Sequence, residues 1–228
     1  MNEVSIVSTI SNEQADRLYW LGRYVERVFS TLKLFNRSID RMLDQDDDDY
    51  VDFCRRLSIP SNIYSGLDDF QVRYLFDPQN PDSVYSNLSR AYDNAIVLRN
   101  FITSESLAFV QLALNHLEKG AIAESAFLET LRVSDWLLAF WGSIDDNVAD
   151  LERRDLLKVG KYAERLDMRI RLGFGAEDVE PLLPRLLAHT KRVAVLLNGD
   201  ALEALAALKV GEIANNPEGA LKIVNALH

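Results

Sequence analysis

The chain has 228 residues, a formal net charge of -10 at pH 7, and 48% hydrophobic and 26% charged residues. This balance is typical of a folded globular protein and excludes a disordered chain, and the length suffices for one large domain or two small ones. The negative charge repels phosphate backbones, so we expect no binding to nucleic acid. One cysteine and three histidines exclude an intrachain disulfide and most zinc sites, and no glycine-rich phosphate loop occurs. We therefore expect neither a metal nor another cofactor.

The N-terminal sequence MNEVSIVSTISNEQ lacks a basic stretch and a continuous apolar segment, so we do not expect a secretory signal. The longest clear apolar run, from Trp136 to Trp141, has six residues, far fewer than the roughly 20 that span a bilayer. These features predict a cytoplasmic protein that does not enter a membrane.

The first long helix is predicted from apolar residues that recur at three- and four-residue steps, among them Leu18, Leu21 and Val25. Ser11 and Gln14 fit a capping box, so this helix should run from about residue 12 to 43. Acidic residues at 44–49 follow it. They predict a solvated loop, since the glycine and the closing glutamate of a calcium loop are missing.

Two shorter helices are predicted at about 50–57 and 68–76, before a breaker at 77–81. Asn80 is the predicted N-cap, and Pro81 the first residue, of a helix that reaches about Ile102.

The rest of the chain again shows long segments with helical periodicity, and no segment alternates with a period of two. The chain is therefore predicted to be an all-α helical bundle. Its remaining predicted elements are a helix capped by Ser104 and ending at Gly120, one ending at Gly142, a long one from Asp145 to Leu172, one from Pro181 to about Leu197, and two short C-terminal helices, the second begun by Asn216-Pro217.

An internal repeat joins the two longest predicted helices. Residues 18–34 (LYWLGRYVERVFSTLKL) and 156–172 (LLKVGKYAERLDMRIRL) match at a constant offset of 138, with six of seventeen positions identical. Each copy carries a glycine inside the helix, Gly22 and Gly160, followed by a Glu-Arg pair. The match predicts a single domain over 1–228 with two related halves, at about 11–119 and 120–228.

Each repeated helix carries charged and aromatic side chains beside its glycine, and two interpretations remain open. A glycine inside a helix costs about 1 kcal/mol relative to alanine, so close approach of another helix or of a ligand should compensate. The Glu-Arg pairs can brace helices against each other, or they can bind the carboxylate of a peptide or amino acid. The candidate binding residues are Arg23, Tyr24, Glu26, Arg27, Lys161, Tyr162, Glu164 and Arg165. No catalytic residue is assigned.

Three blocks of the sequence resemble the bacterial alpha-E domain family. They are the first Glu-Arg helix, its second copy, and the segment FDPQNPDSV at 76–84, in which Asn80, Pro81 and Ser83 match the family's Asn-Pro-x-Ser helix start. The resemblance covers about residues 15–173. Typical members are longer, and the part of this chain after residue 181 is short for a complete second half.

The resemblance implies an all-helical protein associated with circularly permuted ATP-grasp proteins and transglutaminase-like cysteine proteases. ATP-grasp enzymes join a carboxylate to an amine, so the first expectation is a non-catalytic accessory protein of a peptide or amide ligase. The alternatives are a catalytic or substrate-binding component that handles a carboxylate at the Glu-Arg face, and a structural scaffold. The aromatic residues Trp136, Phe140 and Trp141 are interpreted as core or as the interface of a homo-oligomer.

Overall fold

A computed structural model of the chain describes residues 10–42, 49–122 and 125–228, without the side chains of 36–42 and of Asp49. Every regular element in these ranges is helical, and they contain no strand, which confirms the predicted all-α fold. The first nine residues, which bear on the expected absence of a signal sequence, lie outside the described residues. The predicted acidic loop at 44–49 also lies there, apart from the backbone of Asp49.

The Cα positions group into two compact units, which we call the terminal unit and the middle unit. The terminal unit contains the residues up to Arg23 together with Ala149–His228, and the middle unit contains Tyr24–Val148. The long helix α1 (Asn12–Met42) contributes residues to each of them.

Helix α1 begins at the predicted capping box. The backbone N–H of Gln14 donates to Ser11 Oγ at 3.2 Å, and the N–H of Ser11 donates to Gln14 Oε1 at 3.3 Å. These two bonds satisfy two of the donors that a helix start otherwise leaves unpaired. In the predicted apolar stripe, Leu18, Leu21 and Val25 are fully buried.

The middle unit is built from short and medium helices, with the aromatic side chains Phe35, Phe70 and Tyr74 in its core. Its elements after α1 are α2 (Asp49–Leu57), a 3-10 turn (Ser61–Ile63), α3 (Leu67–Phe76), α4 (Val84–Val97), α5 (Arg99–Ile102), α6 (Ser104–Gly120) and α7 (Ala126–Asn147). Phe140 and Trp141 of α7 are buried in this unit.

The start of α4 corrects the prediction that Asn80 caps a helix beginning at Pro81. The N-cap is Ser83, whose Oγ accepts from the N–H of Ser86 at 3.0 Å. The side chain of Asn80 serves the preceding turn, where its Oδ1 accepts from the N–H of Asp82 at 3.0 Å and its Nδ2 donates to the Tyr64 hydroxyl at 2.8 Å. The helix also ends at Val97, and α5 follows it as a separate short element.

Two other predicted boundaries in this unit are wrong. Helix α7 continues through Gly142 to Asn147, because a single exposed glycine weakens a helix without ending it. Thr103, and not Ser104, is the N-cap of α6, and its side chain accepts from the N–H of Ser106.

The terminal unit contains α8, which carries the second Glu-Arg pair, and the C-terminal helices. Its elements after α1 are α8 (Leu151–Arg171), α9 (Ala176–Val179), α10 (Leu182–Thr190), a 3-10 turn (Ala194–Leu196), α11 (Gly199–Ala207), α12 (Val210–Asn215) and α13 (Pro217–Asn225). The predicted N-cap of the last helix is confirmed, since Asn216 Oδ1 accepts from the N–H of Gly219 at 2.9 Å.

Helix α8 is shorter than predicted at its start and ends as predicted. Asp150 caps it through a 3.1 Å bond from the N–H of Arg153, so it begins at Leu151 instead of Asp145. Gly173, with a φ of 71°, ends it. The N–H groups of Gly173 and Phe174 bond back to the carbonyls of Ile170 and Arg169, as in a Schellman motif.

The C-terminal segment also differs from its prediction. Helix α10 ends at Thr190 instead of about Leu197, and three helices follow it instead of two. The segment predicted as one long helix is divided by the 3-10 turn at Ala194–Leu196.

Candidate functional site

The repeated glycines Gly22 and Gly160 lie at one helix crossing in the terminal unit. A Cβ on Gly22 would lie closer than 3.0 Å to the carbonyl oxygen of Leu157, and 3.1 Å from the backbone nitrogen of Lys161. A Cβ on Gly160 would lie closer than 3.0 Å to the carbonyl oxygen of Tyr19, and 3.1 Å from the backbone nitrogen of Arg23. Only glycine permits this backbone contact.

The two sets of contacts are equivalent under the sequence repeat. Tyr19 and Leu157 are 138 positions apart, as are Gly22 and Gly160. Each copy therefore uses its glycine to approach the same position of the other copy. The sequence repeat corresponds to a pseudo-twofold crossing of α1 and α8.

Arg23 lies one residue after the first glycine and forms a buried ion pair with the second copy. Its Nε is 2.5 Å from Glu164 Oε2, and the two side chains are 4% and 1% exposed. Burial alone lowers the pKa of Arg23, but attraction to Glu164 and a bond to the Tyr19 hydroxyl outweigh it and raise the pKa. The guanidinium is therefore a permanent cation in a water-poor crossing.

The other edge of the Arg23 guanidinium faces the amide of Asn225 at the end of α13. Nη1 and Nη2 each donate to Asn225 Oδ1 at 3.0 Å, and Nη1 also donates to the Tyr19 hydroxyl at 3.1 Å. Asn225 Nδ2 donates in turn to Asp167 Oδ1 at 2.6 Å and to the Leu221 carbonyl at 2.9 Å. The amide thus bridges an arginine and an aspartate whose nearest atoms are 4.0 Å apart.

Burial also affects the hydroxyl that faces this network. It raises the pKa of Tyr19, against the opposing influence of the Arg23 charge. The Tyr19 hydroxyl therefore stays protonated at neutral pH. The Tyr19 ring also packs against the ring of His228, with the two ring centroids 4.7 Å apart.

Comparison with protein families shows the family to which the chain belongs. A family model named Alpha-E, described as "a predicted alpha-helical domain with a conserved ER motif", matches residues 12–207. The chain belongs to the Alpha-E family. Both Glu-Arg pairs, at 26–27 and 164–165, lie inside the matched segment. No curated protein and no solved structure matches the chain.

Two features are absent from the described part of this Alpha-E protein. None of its helices there is long and apolar enough to cross a bilayer. No group of three or more histidine, cysteine, aspartate or glutamate side chains is placed to hold a metal within those same residues.

The candidate binding residues of the first copy beyond Arg23 make contacts within the middle unit. Glu26 Oε1 accepts from the Ser30 hydroxyl at 2.7 Å, and Arg27 Nη1 lies 3.5 Å from Asn87 Oδ1. The guanidinium of Arg90 lies 5.9 Å from the ring centroid of Tyr24. Tyr24 and Arg27 therefore contact α4, whereas the printed bond of Glu26 lies within α1.

The candidate residues of the second copy other than the buried Glu164 form a partly exposed face on α8. Lys161 and Arg165 each place a cationic group 5.9 Å from the ring centroid of Tyr162. His189 of α10 stacks on the same ring at 5.4 Å, with 8° between the planes. His189 Nδ1 is 2.8 Å from Oδ1 of the buried Asp155.

Sequence reasoning did not identify Asp155, Asp167, His189 or Asn225 as site residues. Asp155 precedes Tyr162 by seven residues, which places the two on one face of a helix. This spacing is the sequence signal that could have identified Asp155 as a site residue. No local pattern signals Asn225, because it reaches Arg23 across 202 residues of sequence.

Proposed function

We propose that this Alpha-E protein is a non-catalytic helical accessory protein that acts beside an ATP-grasp-type ligase. Such a ligase joins a carboxylate to an amine, and a transglutaminase-like protease is a second proposed partner. A cytoplasmic location in a bacterium is part of the proposal. The support is the family membership together with the association that the sequence resemblance implies.

One observation carries the non-catalytic part of the proposal. Arg23 and Glu164, which lie at the crossing of the two repeated helices, are buried and bonded to each other at 2.5 Å. A carboxylate so paired is a poor general base, since it would have to give up a charge-assisted hydrogen bond before accepting a proton. The pair therefore serves the crossing instead of a reacting substrate.

Co-expression tests the proposal directly. The full chain is purified together with an ATP-grasp protein and a transglutaminase-like protein from the same genome, and size-exclusion chromatography with light scattering measures complex formation. We expect a complex that contains the ATP-grasp protein, and no ATP hydrolysis by the Alpha-E chain alone. Separate elution at micromolar concentrations, with no change in the ligase rate, would contradict it.

A second candidate function is a substrate-binding or catalytic component that handles a peptide or amino-acid carboxylate at the exposed face of α8. It is favoured by the Asp155–His189 contact. A buried aspartate bonded to Nδ1 fixes the tautomer of a histidine and leaves Nε2 to accept a proton. Within the described residues, His189 Nε2 has no hydrogen-bond partner, and the His189 side chain is 27% exposed.

A titration with a dipeptide such as Ala-Ala distinguishes this second candidate. His116 provides a matched internal control, because its Nδ1 bonds to Glu129 at 2.7 Å in the middle unit. The second candidate predicts that the His189 ring resonances shift on titration while those of His116 do not, and that Arg165→Gln weakens the shift. Unchanged His189 resonances would exclude it.

A further inference from the structure

Asn225 occupies a small polar site whose other members belong to the two crossing helices. Its amide oxygen receives two N–H groups from Arg23, and its amide nitrogen gives a hydrogen to Asp167. Arg23 and Asp167 are buried, whereas Asn225 itself is exposed. One surface side chain therefore covers the remaining hydrogen-bonding edge of a buried arginine.

The charges of this site select for a neutral group that both accepts and donates. A carboxylate in place of the amide would face Asp167, and an ammonium would face Arg23, so each would meet a like charge. Arg171 does not change this balance, because its Nε bonds to the other Asp167 oxygen at 2.7 Å. Glu164 is already bonded to the opposite edge of Arg23. An amide satisfies both groups at once.

The geometry also distinguishes between kinds of amide. Arg23 Nη2 and Asp167 Oδ1 are only 4.0 Å apart, so the amide oxygen and nitrogen must present the same edge to them. A primary carboxamide has a hydrogen on nitrogen that points to the same side as its oxygen. In a trans peptide bond the only N–H points away from the C=O, so it cannot bridge the two groups.

Asn225, which fills this site, lies outside the segment that matches the family model. The match ends at residue 207, and it includes Tyr19, Arg23, Glu164 and Asp167, whereas α13 (Pro217–Asn225) lies beyond it. A helix of nine residues is not stable alone in water, so α13 depends on its docking contacts. The buried side chains of α13 are Ala220 and Val224, and Leu227, two residues beyond the helix, is also buried.

We propose that Arg23 and Asp167 form a recognition site for a primary carboxamide, which Asn225 fills from within, and that an external primary carboxamide takes its place when α13 moves away. The ligand class includes the side chains of glutamine and asparagine and a C-terminal carboxamide. The inference goes beyond the proposed role beside a ligase and does not depend on it.

Chemical rescue of Asn225→Ala tests this site in the full chain. The variant lacks the internal amide, so we expect its Tm to fall and propionamide to restore it saturably. N-methylpropionamide and propionate should each be at least about tenfold less effective, since a buried polar site rejects ligands that leave its groups unpaired. In wild type, where Asn225 fills the site, propionamide should not raise the Tm.

The matched control is Lys222→Ala, which removes an exposed side chain three residues earlier on the same helix. We expect no rescue of this variant. Absence of rescue in Asn225→Ala, equal rescue by all three compounds, or equal rescue of the control would each overturn the proposal.

Hydrogen exchange of the wild-type chain provides a second readout that does not depend on the folding of a variant. An external primary carboxamide competes with Asn225, so propionamide should speed exchange of the backbone amides of α13. N-methylpropionamide at the same concentration should not. Unchanged exchange at the highest soluble concentration of propionamide would overturn the proposal. Neither measurement involves a ligase, so failure here leaves the proposed partner untouched.

Discussion

Gly22 and Gly160 each lie against the backbone of the other's helix, at positions that the sequence repeat makes equivalent. The crossing of α1 and α8 is therefore a backbone-to-backbone contact. Beside this contact, Arg23 of α1 is paired with Glu164 of α8. Such a contact tolerates no added atom, because both neighbours are main-chain carbonyls that cannot rotate away.

Substitution of either glycine by alanine should separate the two helices. We expect Gly160→Ala to lower the free energy of unfolding by about 3 kcal/mol, at the upper end for overpacked cores. Urea denaturation measures this change.

The control is Gly142→Ala in α7, where a Cβ would meet nothing within 4 Å. It should raise the free energy of unfolding by about 0.5–1 kcal/mol, since alanine is the better helix former. If the two substitutions had similar effects, the close crossing would be wrong.

We expect that a carboxylate cannot replace the amide of Asn225. Asn225→Asp places a negative charge beside Asp167 Oδ1, which the amide nitrogen approaches to 2.6 Å. Asn225→Asp should therefore destabilise the chain more than Asn225→Ala does at pH 7.

The excess loss should shrink as the pH falls towards the range in which carboxyl groups are protonated. Thermal unfolding of both variants between pH 4 and 8, on the scale of ordinary carboxyl pKa values, measures it. An Asn225→Asp variant as stable as Asn225→Ala at pH 7 would show that Asp167 does not face this position.

The extent to which the sequence predicts this molecule depends on how local each signal is. The capping box at Ser11 and the glycine that ends α8 act over a few residues, and both predictions are confirmed. The close crossing of α1 and α8 could be predicted because the repeat marks Gly22 and Gly160. A glycine inside a helix is unfavourable, and close approach of another helix compensates for it. The N-cap prediction at Asn80 was wrong because Ser83 supplies the capping oxygen three residues later, while the Asn80 oxygen accepts from the N–H of Asp82 in the preceding turn.

The candidate site was only partly predictable. Arg23 and Glu164 were identified because they belong to the repeat, and the structure brings them together. Asp155 contacts His189 and Asn225 contacts Arg23 across 34 and 202 residues. No period or motif marks these pairs, since each depends on how helices that are remote in sequence dock against one another.

The stability of the middle unit should fall at alkaline pH. Burial raises the pKa of the Cys54 thiol from 9.0 to about 11, with a smaller effect of the Asp82 charge. Burial also raises the pKa of Tyr64 from 10.0 to about 12, against the opposing hydrogen bond from Asn80. Both groups lose their protons at lower pH in the unfolded chain, so their stabilising contribution is complete below pH 9 and decreases as the pH rises towards 12.

Urea denaturation at pH 8, 9, 10 and 11 on wild type and Cys54→Ala checks this pH dependence, because the thiol titrates across that window. We expect the free energy of unfolding of wild type to fall over this range, and that of Cys54→Ala to fall less steeply. Parallel slopes would contradict the assignment of the first part of the loss to Cys54.

A double-mutant cycle on Arg23 and Glu164 tests most directly the claim that the Glu-Arg helices meet in a buried structural pair. Each of Arg23→Met and Glu164→Met removes one charge of the pair and leaves the other buried without that partner, and should lower the free energy of unfolding by about 3–5 kcal/mol. The double variant leaves neither charge, so we expect it to lose less than the sum, with a coupling energy of at least about 2 kcal/mol.

The control cycle uses the exposed pair Arg55 and Asp52, whose side chains are 70% and 46% exposed. Its coupling energy should stay below about 1 kcal/mol. Urea denaturation of wild type and of the six variants measures both cycles. A coupling of several kcal/mol confined to Arg23 and Glu164 is the predicted result, and additive effects of the two substitutions within about 0.5 kcal/mol would contradict it.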